Sequence, residues 1–164
     1  MKNAFIAAML AAFLATPGFA GTFNIPDSRP LASITVPDSD WKATKIERGI
    51  ELESSDDEVY LSIEATELKD LKDLIAEAVI VLKRGGVTID LSTQKQKSGK
   101  LLGRQFDDLG WTGKDKDGDV VIHMSVLTVN ATDGIVFTYW ASPEGDKKHD
   151  PAISQMIESL KFSK

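Results

Sequence analysis

Only two imidazoles, His123 and His149, and no cysteine are available for nucleophilic or acid-base work in this chain of 164 residues. A catalytic serine or lysine needs a base beside it and a third group to orient that base. His123 lies in VVIHMSVLTV, on the strand face of Val121, Ser125 and Leu127, where a packed or hydrogen-bonded role suits it better than that of a base. A hydrolase using His123 therefore comes third among the functional readings. His149 directly precedes Asp150 in a lysine-bearing stretch and reads as solvated. The sequence carries no G-x-S-x-G elbow, H-E-x-x-H pair, phosphate-binding glycine loop or kinase-type ATP box, and no cofactor is expected.

The carboxylates cluster in two places. Ser54 to Glu58 is an acidic turn, but acid-base work needs two carboxyls in a cleft with separated pKa values, which a solvated turn does not supply. Asp115, Asp117 and Asp119 alternate around Gly118 like the start of a calcium loop. An EF-hand needs glycine at its sixth position and glutamate at its twelfth, whereas Gly118 is fourth and His123 to Val126 hold no acid. A hairpin turn fits better, and a small-ligand or calcium-binding protein is kept as the alternative function. Zinc has too few ligands. Trp111, Tyr139 and Trp140 could line a pocket or a protein interface, since such rings join large apolar area to a polar handle. Tyr139 and Trp140 are neighbours in a strand and must face opposite sides, so packing under helices competes with binding.

The elements that position these residues follow from periodicity and breakers. Pro26 and Pro30 predict an extended arm before a strand at Leu31–Val36, and Pro37 to Asp40 should form a turn into Trp41. Lys45–Ile46 and Gly49–Glu53 read as a hairpin, and Val59–Ile63 alternates as a half-buried strand. Thr66 is expected to cap a helix with Leu68, Leu71, Ile75, Val79 and Leu82 on its stripe, widened by Leu74, Ala78 and Val81 and stopped by Gly85-Gly86. Val87–Leu91 should be a strand and Ser92–Lys100 an exposed loop. From Leu101 the signals are β: a segment through Phe106 and Trp111, then Val120–Val129, then Ile135–Ala141. Their Asp-Gly connectors mark an antiparallel meander. Asp150-Pro151 should open a terminal helix carrying Ile153, Met156, Ile157 and Leu160. Strands and helices do not alternate, which predicts an α+β antiparallel sheet flanked by helices rather than a doubly wound parallel sheet.

The first twenty residues supply the charge at Lys2, the apolar run Ala4–Ala15 and the small residues Gly18 and Ala20 of a secretory leader, expected to be cut after Ala20. The apolar run is too short to span a membrane, so no stable membrane insertion is expected after cleavage. Residues 21–164 then form one domain, large enough to fold without disulfides. The 19 basic and 25 acidic residues give a formal charge of −6, and losing Lys2 makes it more acidic. Nucleic acid is a poor partner for that surface.

Several segments together resemble the Mog1/PsbP-like family: ITVPDSDW at 34–41, GIELESSDDEVYLSIEA at 49–65, the helix ending at Gly85-Gly86, LLGRQFDDLGW at 101–111, FTYWASPEGDKK at 137–148 and ISQMIESLKF at 153–162. The resemblance implies an antiparallel sheet of about six or seven strands in an α/β/α sandwich. It also implies an accessory protein without a reaction of its own, and no catalytic residue is carried over. With the leader, it makes the expected protein a soluble periplasmic binding domain that recognises a protein or assembly through a sheet edge or an aromatic patch. Trp111, Tyr139, Trp140 and His123 are the candidate binding residues, and Asp115, Asp117 and Asp119 the weaker metal candidates.

Overall fold

The computed structural model describes residues 19–37 and 40–163. The leader reading falls on residues outside this set, apart from the backbone of Phe19 and Ala20, and so do Asp38 and Ser39 of the turn before Trp41.

Strand β1 (Phe19–Ile25) pairs antiparallel with β2 (Ala32–Pro37), and the two-residue β10 (Lys161–Phe162) pairs with the other side of β2. The expected extended arm is thus a regular strand. Pro26, whose peptide bond with Ile25 is cis, stands just past its end, so the missing N–H removes no ladder bond.

The second sheet has seven strands, all antiparallel. They are β3 (Trp41–Ile46), β4 (Gly49–Ser54), β5 (Val59–Glu67), β6 (Thr88–Leu101), β7 (Arg104–Lys114), β8 (Asp119–Thr128) and β9 (Asp133–Ala141). Their spatial order is β3-β4-β5-β9-β8-β7-β6, two meanders joined where β5 pairs with β9 from Val59↔Ala141 to Glu67↔Asp133.

Helix α1 (Leu71–Arg84) follows a 3₁₀ turn at Leu68–Asp70. Thr66 belongs to β5 and caps nothing, because the strand alternation runs on through Ala65 and Thr66. Leu74, Ala78 and Leu82 are the buried stripe of α1, while Ile75 and Val79 pack beside them. The axis of the buried face is therefore rotated from the expected one. Gly86 takes φ +82, and Val87 donates back to the Leu82 carbonyl, closing the helix. The C-terminal helix differs more. Helix α2 (Pro143–Glu158) starts seven residues before Asp150, with Ser142 capping the N–H of Gly145 and Pro143 in the first turn. The Ser-Pro pair supplies the start expected of Asp-Pro, and Pro151 lies inside the helix.

The two helices cover opposite sheet faces. One apolar cluster joins Met156 of α2 and Ile25, Ile34 and Val36 of the small sheet to Leu52, Leu61, Ile63, Phe137 and Tyr139. The other joins Ala78 and Leu82 of α1 to Val120, Ile122 and Met124. The result is the expected α/β/α sandwich, with the small sheet sharing one layer with α2.

The expected loop Ser92–Lys100 is part of β6. Lys95 to Leu101 pair with Arg104 to Gly110, and Leu102 and Gly103, both at positive φ, close a two-residue turn. The segment is exposed, as its composition demands. It nonetheless forms a strand because an edge hairpin wetted on both sides needs no apolar alternation.

Candidate functional site

Pairing β7 with β8 sets Gly110 opposite His123 and Asp108 opposite Ser125, on the face covered by α2. Two residues apart on each strand, these four residues share that face by pleat alone. The imidazole Nδ1 of His123 lies 3.1 Å from both carboxylate oxygens of Asp108, and the Ser125 hydroxyl donates to Oδ1 of Asp108 at 2.7 Å. The Asp108 side chain is 13% exposed and that of His123 40%. Gly110 makes room for the ring, since a Cβ there would stand 3.0 Å from Cε1. Tyr139 flanks it at 6.0 Å.

His123 faces a groove of about 610 Å³ lined in part by Lys95, Lys97, Trp111 and Thr112. Lys97 stands opposite Asp108 and Lys95 opposite Gly110 on the neighbouring strand, so both lysines share the face of His123. Neither is ion-paired among the described residues. The groove has a floor of its own construction. Asp90 accepts from the N–H and hydroxyl of Ser92, which lowers its pKa, and Thr93 bridges the Asp90 carbonyl to the N–H of Thr112. These bonds fix the irregularity between Asp90 and Lys95, beyond which the basic edge strand runs on.

The pieces do not form a hydrolytic triad. Ser125 donates its hydrogen bond to Asp108 rather than to the imidazole, and no nucleophile among the described residues bonds Nε2 of His123. What the arrangement can do is present a seated imidazole and two exposed lysines, unpaired among the described residues, on one face to a ligand.

Of the other candidates, Trp111 borders this groove, but its side chain belongs to the opposite face. Trp111 pairs with Ile122, so its indole packs with the α1 cluster, and its Nε1 is buried without a partner. Trp140 stacks on Tyr60 at 4.0 Å on that same side. Tyr139 is buried and donates from its hydroxyl to Asp146 at 2.8 Å. Burial, followed by that carboxylate, pushes the phenol pKa well up. The three aromatic residues are thus divided between two faces and form no common patch.

Asp115 closes the turn between β7 and β8, its Oδ1 accepting from the N–H groups of Asp117 and Gly118. Lys116 pairs with Asp117 and Lys114 with Asp119. This turn and the Ser54–Glu58 turn border one cleft of about 450 Å³ at the start of α2, a proximity that spacing in the chain does not reveal. Among the described residues no three acidic or histidine side chains converge as a metal site.

His149 is buried, contrary to its solvated reading. Its Nε2 lies 3.0 Å from Asp56, and Trp41 meets its ring edge-on at 5.3 Å. A helix starting at Asp150 would leave His149 in the preceding loop; it sits instead in the middle of α2, facing inward.

These features define a class, the antiparallel α/β/α sandwich with a basic edge hairpin. No family model and no curated protein matches the chain. Among solved structures, it is similar to cyanobacterial PsbP (CyanoP) from Synechocystis, with a TM-score of 0.59 and 12% identity over 92% of this chain and 96% of that one. It is also similar to LpqN, involved in cell envelope biogenesis of Mycobacterium tuberculosis, with a TM-score of 0.53 and 13% identity over 81% and 83% of the two chains. The chain has the PsbP/Mog1-like fold. At these identities the likeness is one of fold. No helix among the described residues is long and apolar enough to cross a membrane.

Proposed function

We propose that this protein is a non-catalytic accessory domain, exported to the periplasm, that binds a protein partner through the open edge of β6 and its hairpin with β7. One observation carries the reading. In a chain of net charge −6, the run from Leu91 to Phe106 holds Lys95, Lys97, Lys100 and Arg104 and no acid. That run forms the outermost strand and hairpin of the large sheet, with Leu91 72% and Leu102 42% exposed.

An edge strand left long and accessible is a template for another chain, and lysines on it choose which chain. The oriented His123 without a nucleophile supports recognition rather than hydrolysis, and the neighbours with this fold are consistent with an accessory role. Export rests on the leader-like first twenty residues.

Photo-crosslinking amino acids at Gln96 and Leu102, with Lys72 on the outer side of α1 as control, test the reading in the native cell. A reproducible adduct from the two hairpin positions and none from position 72 is expected. Equal labelling from all three, or none from the hairpin, would sink it.

A further inference from the structure

Resting on the reading of β6 as a docking edge, we infer that its occupant is an acidic extended peptide that adds as an eighth strand, with carboxylates at alternate positions. Two independent features specify this chemistry.

The first is the edge itself. Strand β6 is terminal in the sheet, and its residues from Lys95 to Lys100 are all exposed, so one row of its N–H and C=O groups faces outward without a strand partner among the described residues. An extended segment satisfies that row by main-chain hydrogen bonds, which give affinity without reading side chains.

The second is the pattern of charge on one face. Lys95 and Lys97 are two residues apart, about 7 Å along the strand, and both stand on the face of His123. Asp108, the carboxylate that lines the groove beside them, is already engaged by His123 and Ser125. An added strand would carry its side chains with the same period of two, so acidic residues at i and i+2 meet Lys95 and Lys97. Lys100 lies on the other face and contributes positive potential without fixing register.

Lysines on an edge also serve to discourage pairing with other copies. Here the two roles agree, because a second copy brings the same lysines to the edge and is repelled, while an acidic strand is attracted.

The test uses the mature chain and blocked peptides of alternating glutamate and valine or lysine and valine, titrated by NMR. The glutamate peptide is expected to perturb and protect β6 amides from Lys95 to Leu101, and the lysine peptide to leave them unchanged. Lys95→Ser with Lys97→Ser should weaken binding at least tenfold, and raising salt from 50 to 500 mM should weaken it similarly. Glutamate peptides N-methylated at alternate amides separate strand addition from charge alone. One methylation register should abolish binding and the other preserve it. If both registers bind equally, or if protection falls outside β6, the inference fails. Hairpin crosslinks to a partner alongside a failed peptide titration would overturn this inference and leave the docking role standing. Failure of both would remove the two together.

Discussion

Two aspartate-histidine pairs of nearly equal length sit in different regions of this molecule. His149 and Asp56 join α2 to the acidic turn, with the imidazole side chain 7% exposed and Trp41 against its edge. His123 and Asp108 join β8 to β7, with the imidazole 40% exposed beside a groove and two lysines. The pairs differ in what their free surfaces meet. Around His149 every neighbour belongs to the fold, so the pair acts as a clasp between elements. Around His123 the neighbours hold the ring still and leave one side open, which is the arrangement of a recognition group.

Gly110 packs against the ring of His123, and Gly145, one turn before His149, packs against Glu58 of the acidic turn, so altering these glycines should separate the regions most sharply. A Cβ at Gly145 would lie 2.6 Å from Glu58 Cβ and 2.8 Å from the Glu58 carbonyl oxygen. Gly145→Ala should therefore cost about 3 kcal/mol in denaturant unfolding, because backbone must move. A cost below about 1 kcal/mol would show that the turn is not clasped. Next comes Asp56→Ala, which strands a buried imidazole nitrogen and should cost about 2 kcal/mol.

The Asp56 pair also carries a pH signature. Lys148 first, then Ser54, with His149 contributing, hold the Asp56 carboxyl below its ordinary value. A depressed acid stabilises the fold while ionised. Its contribution is thus complete above about pH 5 and is lost as pH falls through 4 toward the folded value. Asp56→Asn should flatten the loss of stability below pH 4, measured as urea midpoints across pH. An unchanged slope would assign the acid sensitivity to other carboxylates.

Gly110→Ala should cost less, about 1 kcal/mol, because the ring of His123 can swing where a backbone cannot. Its informative readout is imidazole ¹⁵N NMR, where the Nδ1 signal should lose the shift expected of its bond to Asp108. Retention of that shift would show that the glycine is not what seats the ring. Smallest of all, Lys95→Ser with Lys97→Ser should leave stability within about 0.5 kcal/mol. A larger loss would make the lysines part of the fold and erase the contrast between the regions.

The sandwich was legible in the sequence because its main elements have a clean period. Val59, Leu61 and Ile63 alternate, Leu71, Ile75, Val79 and Leu82 step by three and four, and Asp117-Gly118 marks the turn between β7 and β8, whereas Asp133-Gly134 already belongs to β9 and the turn before it is built on Asn130. Boundaries were lost where a stronger local signal masked the true one. Asp150-Pro151 looks like a helix start, yet Ser142-Pro143 stands first and leads directly from β9. Pro26 looks like an interruption, yet it lies just beyond β1. The site was legible only in part. Strand alternation put His123 and Ser125 on one face, but Asp108 and Gly110 reach them through strand register, and register is set by side-chain packing and turn geometry together. The clasp at His149 depends on a contact across more than half the chain, which no local pattern encodes.

The seam between β5 and β9 has a consequence for how the chain reaches this state. On either side of it the strands are joined by short hairpins whose partners are near in sequence, so each half can assemble by local zipping. The seam itself unites residues as distant as Val59 and Ala141. Closing that long loop brings entropy loss before any reward, so the seam is expected to form after the hairpins on either side. Until it closes, β5 and β9 are exposed apolar edges, and the time spent in that condition sets how readily the newly made chain is lost to aggregation.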